Sequence, residues 1–375
     1  MLLTALNMLL NDRAKCLGMV IGLSFSTFII VQQSAIFAGL MIRTYGFITD
    51  TSQPDIWVMN DQVRFVDDVK PLRSTRLLAV RGVEGVEWAV PCYKGRITAR
   101  LRTGRFQQCV VIGIDAASMI GAPPFVEGRI EDLRREDAII VNKADTTGTF
   151  PVALGSILEI NDKRAVVVGF CRTTPTFQSQ PVVYTTYRRA LNYAPKERKQ
   201  LSFILVKGQQ GVSLQKIKER IVARTGLKAL TKKEFQWLTV RYYMKETGIP
   251  INFGIAVLLG FVIGVAIAGQ MFYGLILENL PFFALFKVMG AGRRMLNLMA
   301  RVQALWVGVV GWGIGIGAAA LFGFFTRHTE LSFVLLPEIY ALSLPVVVTI
   351  CIASATGALR RVHKVDPVIV FRGGT

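Results

Sequence analysis

Apolar positions along the chain fall into two regimes. Four uninterrupted runs, at residues 16–42, 251–277, 302–325 and 339–359, each reach the roughly 20 residues that a helix needs to cross about 30 Å of hydrocarbon. Between the first and second runs the pattern changes to short strands punctuated by turns: DIWVM, GRITARLR, FQQCVVIGI, AIIVN, ILEI and AVVVGF, with hairpin turns at Thr103-Gly104 and Asn161-Asp162. One helix interrupts them. Leu214, Ile217, Ile221 and Val222 recur at helical spacing after Ser213, and Gly226 supplies a left-handed stop. The pattern predicts a membrane α-helical protein with four transmembrane helices and a large extracytoplasmic α+β domain inserted between helices 1 and 2.

Residues 1–15 read as a cytoplasmic amino-terminal segment, 16–42 as the first span and 43–250 as the outer, periplasmic domain. Residues 251–277 are the second span, 278–301 a cytoplasmic coupling loop or helix, 302–325 the third span, 326–338 a short outer loop, 339–359 the fourth span and 360–375 a cytoplasmic tail. The first run follows Arg13 and Lys15, yet it is too long for a signal-peptide core and no A-x-A site follows, so it reads as a retained anchor. KKEFQWLTVRYYMKETGIP, with Phe235, Leu238, Tyr242 and Tyr243 near one side, reads either as a stalk extending the second span or as an interfacial helix anchored by Trp237 and the tyrosines.

Charge sets the orientation. Arg13, Lys15, Lys287, Arg293, Arg294, Arg301, Arg360, Arg361, Lys364 and Arg372 flank the inner ends of the spans, which puts both termini in the cytoplasm of an inner-membrane protein. Of the 44 Lys and Arg, 33 lie in the outer segment, scattered with no aromatic-interleaved stripe. That spread suits membrane lipid, an acidic partner or a solvated surface, and not nucleic acid. Five cysteines leave Cys92, Cys109 and Cys171 outside the spans, an odd number in which Cys109 faces residue 98 or so, so no obligatory disulfide is expected.

Within the spans, Gly260 with Gly264, Gly311 with Gly315 and Gly313 with Gly317 sit at the four-residue spacing that lets helix backbones approach closely. Gln32, Gln33 and Gln270 offer no ion relay, and suit packing better than transport. The connection LENLPFFALFKVMGAGRRMLNL is unusual. Pro281 suits a first helical turn; Leu280, Phe282, Phe283, Leu285, Phe286 and Met289 supply an apolar surface; Gly290 ends the turn; Lys287, Arg293 and Arg294 add cations. Such a helix either lies on the lipid surface or docks into a groove on a cytoplasmic partner.

At these residues the sequence resembles a known family. ALFKVMGAGRRMLNLMARVQALWVGVVGWGIGIGAAAL is similar to the signature of FtsX-like ABC transporter permeases, the group that includes MacB and the lipoprotein-releasing permeases, and RRVHKVDPVIVFRG is similar to their closing stretch. NLPFFALFKVMG and DIWVM resemble the DevC-type exporter permeases. The resemblance implies a homodimer energised by a separate cytoplasmic ABC ATPase that binds ATP-Mg, with Leu280 to Phe283, Leu285 to Lys287, Gly290, Arg293 and Arg294 as the coupling residues. It further implies a periplasmic adaptor (a membrane fusion protein), an outer-membrane channel and export of a lipid-like or hydrophobic compound. The alternative is a non-transporting, FtsX-like mechanotransmitter that activates a cell-wall hydrolase. One departure stands out: where the family often carries further charges ahead of the signature, this chain has Glu278-Asn279 and then Phe282, so docking leans on apolar anchors. The chain has no G-x-x-x-x-G-K-[ST] phosphate loop, only two histidines and no cysteine pair at metal-ligand spacing, so no catalytic or metal residue is assigned and it is not an enzyme by itself.

Overall fold

A helix satisfies its own backbone hydrogen bonds, which is what lipid demands, and the apolar runs fold accordingly. The computed structural model describes residues 2–148, 150–195, 200–289, 292–327 and 329–362. It divides into two compact units, Met41–Thr247 and the pair Met1–Leu40 with Gly248–Thr375. The chain starts with α1 (Leu2–Asn11), then α2 (Arg13–Thr44), which contains the first span. Asp12 separates them by capping α2: its carboxylate accepts the Lys15 backbone N–H at 3.2 Å. At 32 residues, α2 is about 48 Å long, more than the hydrocarbon requires, and its last turns lead into the outer unit.

That unit runs through α3 (Gly46–Asp50), β1 (Ile56–Met59), α4 (Thr75–Arg81), β2 (Val86–Arg100), β3 (Phe106–Ile114), β4 (Phe125–Glu127), β5 (Ala138–Asn142), β6 (Ile157–Ile160), β7 (Lys163–Cys171), β8 (Val182–Thr186), α5 (Tyr187–Tyr193), β9 (Phe203–Gly208), α6 (Leu214–Thr225), β10 (Lys228–Thr231) and α7 (Lys232–Glu246). The strands form one sheet in the order β10-β1-β9-β2-β3-β8-β5-β7-β4, and β6 pairs with both β7 and β2. Those two pairings close β2, β3, β8, β5, β7 and β6 into a barrel, leaving β10, β1 and β9 as an open extension. Strand β2 serves both parts. Its first half pairs with β9 as far as Cys92↔Phe203, and its second half pairs with β3 from Tyr93↔Gly113 to Arg100↔Phe106.

The open part is covered on both faces, which explains strands that read as continuous apolar runs. Ile56, Val58, Ile204 and Val206 face Val80 of α4 and Ile217 and Ile221 of α6. The alternate residues Trp57, Met59, Phe203 and Leu205 face Ile48 of α3 and Phe235 of α7. The barrel encloses Ile97, Cys109, Val111, Val141, Ile160 and Val167. Asn161 and Asp162 both take positive φ, +47° and +62°, as the expected hairpin turn between β6 and β7 requires. Cys109 lies opposite Ile97, one residue from its expected partner, and the five cysteines are buried free thiols.

Three readings change. Three further α-helices, α3, α4 and α5, accompany the expected α6 among the described residues of this unit, each seven residues or shorter and so too brief to show a helical period. On α6 itself Ile217 and Ile221 are buried but Val222 is exposed. The stretch read either as a stalk or as an interfacial helix is a helix of the domain: Phe235, Thr239 and Tyr243 of α7 are buried, and Thr247 is extended (φ −122°, ψ 152°), which ends α7 before the next helix begins. Spacing of four residues gave α7 one apolar stripe, and the sheet takes it. A capping box fixes its start, with Thr231 Oγ1 accepting the Glu234 N–H at 3.3 Å and Glu234 Oε2 accepting the Thr231 N–H at 2.8 Å.

The other unit continues with α8 (Ile249–Glu278), α9 (Leu280–Val288), α10 (Arg293–Thr326) and α11 (Pro337–Val362). More than half of the apolar window of α2 is buried, the largest share of the four spans. Close approach explains it. A methyl group on Gly264 would meet Ser26 Oγ at 2.4 Å, and one on Gly315 would meet the Ser24 carbonyl oxygen at 2.7 Å, while Gly260 and Gly311 likewise abut Ile29, Ile30 and Leu23 of α2. Ser26 Oγ also donates to the Gly260 carbonyl at 2.7 Å, a bond buried from lipid. A methyl group on Gly313 or Gly317 would meet nothing within 4 Å among the described residues beyond its own helix. Gln270 is exposed and Gln32 and Gln33 are half-buried, whereas Gln303, which the sequence reading passed over, is buried.

The contrast between these stripes is testable: Gly315→Ala should destabilise the detergent-solubilised chain by about 1–3 kcal/mol, the usual overpacking range, while Gly317→Ala, whose added carbon meets nothing within the chain, should leave the thermal midpoint of the monomeric fraction unchanged. A second expectation concerns α7. Burial raises the Glu234 pKa, but hydrogen bonds from Lys218 and Thr231 outweigh it and hold the carboxyl below the usual glutamate range. A depressed carboxyl contributes stability that is complete above its unfolded pKa and is lost as pH falls through its folded one. Hydrogen-exchange protection of the first turn of α7 should therefore fall on acidification, and Glu234→Gln should flatten that dependence.

Candidate functional site

The end of α8, the short α9 and the start of α10 form one feature. Asn279 stops α8 by donating both its backbone N–H (3.2 Å) and its side-chain Nδ2 (2.8 Å) to the Leu275 carbonyl. Pro281 then occupies the first turn of α9, where its missing N–H would have had no intrahelical partner. Residues at intervals of three and four share a helix face, and here Phe282, Leu285 and Met289 do so while staying 55%, 52% and 62% exposed. Leu280 and Phe286 instead pack against the buried core of the bundle, which contains Met299, Ala300 and Ala304 of α10. The helix is apolar towards the bundle and apolar away from it.

The predicted coupling residues thus separate. Phe282 and Leu285 form a free face with Pro281 exposed beside them, Arg294 is exposed at the start of α10, and Leu280 and Phe286 anchor the helix. The side chains of Phe283, Lys287 and Arg293, and Gly290 altogether, lie outside the described residues. Sequence reasoning missed an ionic clamp at the same end of the bundle. Lys15, in the first turn of α2, pairs with Glu278, the last residue of α8, and also with Asp12 at 2.9 Å. Asp12 and Lys15, three residues apart before an apolar run, were a readable cap signal; nothing in the text joined Lys15 to a residue 263 positions away.

In the outer unit, the barrel rim carries a different surface. Phe106 and Ile157 are exposed at the β2–β3 and β6 ends, beside Arg102, Arg105, Lys163 and Arg164, and Arg100 lies over the Phe106 ring at 5.8 Å. Recesses of about 500 and 400 Å³ flank it, sharing Arg100, Glu159, Asp162 and Lys163. Among the described residues no group of His, Cys, Asp and Glu is gathered as a metal site.

Comparison with known proteins places both units. Residues 16–224 match the MacB-like periplasmic core domain and residues 250–367 match the FtsX-like permease C-terminal domain. Among solved structures the chain is similar to the extracellular domain of the noncanonic ABC-type transporter YknZ from Gram-positive bacteria, with 14% identity, 48% of this chain and 99% of that one covered and a TM-score of 0.36. It is also similar to the periplasmic region of MacB from Actinobacillus actinomycetemcomitans, with 12% identity, 53% and 96% covered and a TM-score of 0.39. No similar curated sequence was found. With the outer unit matched by one family model and the carboxy-terminal spans by the other, the chain belongs to the MacB/FtsX family of ABC transporter permeases, multi-pass inner-membrane subunits that work with a cytoplasmic ABC ATPase.

Proposed function

We propose that this chain is the permease of an exporter, in which a homodimer transmits ATP-driven movement from the cytoplasm to its outer domains and expels a lipid-like or hydrophobic compound. The observation that carries this reading is the double-sided α9. Phe282, Leu285 and Met289 offer a partner an apolar face, and Leu280 and Phe286 tie the same helix to the bundle. Aromatic and aliphatic anchors of this kind suit a groove on the ATPase, with Arg294 at the rim. The helix follows α8 directly, and the Lys15–Glu278 pair joins α8 to α2 at that end. Residues 41 and 247, the ends of the outer unit, continue from these two helices, so a pull on α9 reaches the outer unit along both of its covalent attachments.

This reading puts α9 and both termini in the cytoplasm, in line with the basic residues there. The open Gly313 and Gly317 stripe on α10 suits contact with a second copy, since small residues permit the close helix approach that drives association in lipid. An adaptor with an acidic surface, leading to an outer-membrane channel, suits the barrel rim around Phe106 and Ile157 with its arginines and lysines.

Phe282→Asp and Leu285→Asp should each abolish co-purification of the ATPase while the permease stays monodisperse; association retained in both rejects α9 as the docking element. Lys15→Glu and Glu278→Lys should each leave the ATPase bound yet suppress the ATP-dependent distance change between spin labels on the two outer domains of a reconstituted dimer. Combining them restores the pair, and with it the movement.

A further inference from the structure

The outer unit contains a recess that neither the coupling helix nor the barrel rim uses. Cavities of about 370 and 270 Å³ adjoin across Asp67, Arg96 and Val110, and a small chamber of about 30 Å³ shares Asp67, Lys94 and Val110 with the first. Their floor is the outer wall of β2 and β3. One bank is the loop from Phe65 to Pro71, and the other is the loop from Thr176 to Gln180 with the end of α7. Taken together the two larger cavities reach the range of small-molecule sites, and the chamber has room for about one water-sized group.

Its lining holds three carboxylates, Asp50, Asp67 and Asp68, and three cations, Arg43, Lys94 and Arg96, yet Asp68 takes its ionic partners from outside the lining. Asp67 is paired with Lys94, which is 8% exposed and lies 4.9 Å from the centre of the Phe47 ring. Asp68 is paired with Lys70 at 3.0 Å and Arg64 at 3.4 Å. Both carboxylates on that bank are therefore answered by a cation. Arg96 lines both larger cavities, is exposed, and makes no hydrogen bond or ion pair among the described residues; its charge bears on the Tyr243 hydroxyl. The cleft keeps an unspent guanidinium, a fork that fits a carboxylate, phosphate or sulfonate in bidentate fashion.

Next to it stands an aromatic wall. Phe65 stacks on Tyr242 with centroids 4.1 Å apart and planes 13° off parallel, and Phe177 meets Tyr243 at 4.9 Å. Phe65, Phe177 and Tyr242 are each only half-buried. The facing loop is fixed before any guest arrives: Thr176 Oγ1 accepts the Gln180 N–H at 2.7 Å and donates to its carbonyl at 2.9 Å. In the chamber, Thr173 is buried, 7% exposed, and its hydroxyl has no hydrogen-bond partner among the described residues. A polar group left unanswered at that depth points to a site built to take a small polar group.

We infer that this cleft binds an acidic amphiphile: one anionic group at Arg96, an aromatic or acyl body along Phe65, Phe177, Tyr242 and Tyr243. As the class of compound the exporter handles, the inference rests on the transport reading; as a binding site it does not. The anion has two sources, a soluble acid or the headgroup of an anionic lipid, and they share this chemistry.

The test titrates naphthalene-2-sulfonate into the full chain in phosphatidylcholine nanodiscs by calorimetry, against empty discs and without ATP or ATPase. Saturable binding is expected, weakened about tenfold or more by Arg96→Glu, the scale of losing one charge-assisted contact, and weakened less by Arg96→Lys, which keeps the charge but not the fork. Uncharged 2-naphthylmethanol should show no saturable heat. Phosphatidylglycerol discs separate the sources: weaker sulfonate binding there identifies the lipid headgroup as occupant, unchanged binding a soluble acid. Equal affinity in Arg96→Glu and the unaltered chain, or no saturable binding at all, overturns the site. Since nothing here depends on nucleotide, that failure would leave the spin-label result untouched, and the reverse holds too.

Discussion

Hydrocarbon is as apolar as leucine, so four greasy helices gain nothing by burying each other's side chains from lipid; they cohere only where atoms come close. In this chain that closeness is concentrated on α2. Gly260 and Gly264 of α8 bring one backbone against it, Gly311 and Gly315 of α10 bring another, and Ser26 seals the first contact with a buried hydrogen bond. α2 is also the helix whose last residues enter the outer unit.

From that constraint follows the value of the clamp at the other end of the span. Lys15 and Glu278 are partly exposed, and exposed ion pairs contribute little to stability. Their importance is geometric. They fasten the start of α2 to the end of α8 one residue before the turn into α9, so the helix with an apolar face to offer follows directly on a point where two spans are tied together. Stability comes from the glycine contacts and registration from the charges.

Much of this was legible in the residues. Uninterrupted apolar length gave the spans, short apolar runs bounded by turns gave AIIVN and FQQCVVIGI as β5 and β3 residue for residue, and Asn161-Asp162 marked its hairpin because both positions take positive φ. The family resemblance carried the order of the units and the apolar turn at Pro281. What escaped reading is non-local. Closure of the barrel depends on β6 meeting the far end of β2, some 60 residues earlier, and no local pattern encodes that pairing. The stripe on α7 was visible but its taker was not: Phe235 and Tyr243 at eight-residue separation suit a membrane surface and a sheet equally. Likewise both faces of α9 are apolar, so composition alone could not tell Leu280 and Phe286, which anchor, from Phe282 and Leu285, which stay free.

Strand β2 gives the outer unit a mechanical character. One continuous backbone of 15 residues is hydrogen-bonded to the open sheet along its first half and to the barrel along its second, with no loop between them to absorb rotation. A flexible joint would let the barrel lag behind the sheet. Here, twisting one against the other would have to shear a ladder of main-chain bonds, so open sheet and barrel are built to turn together.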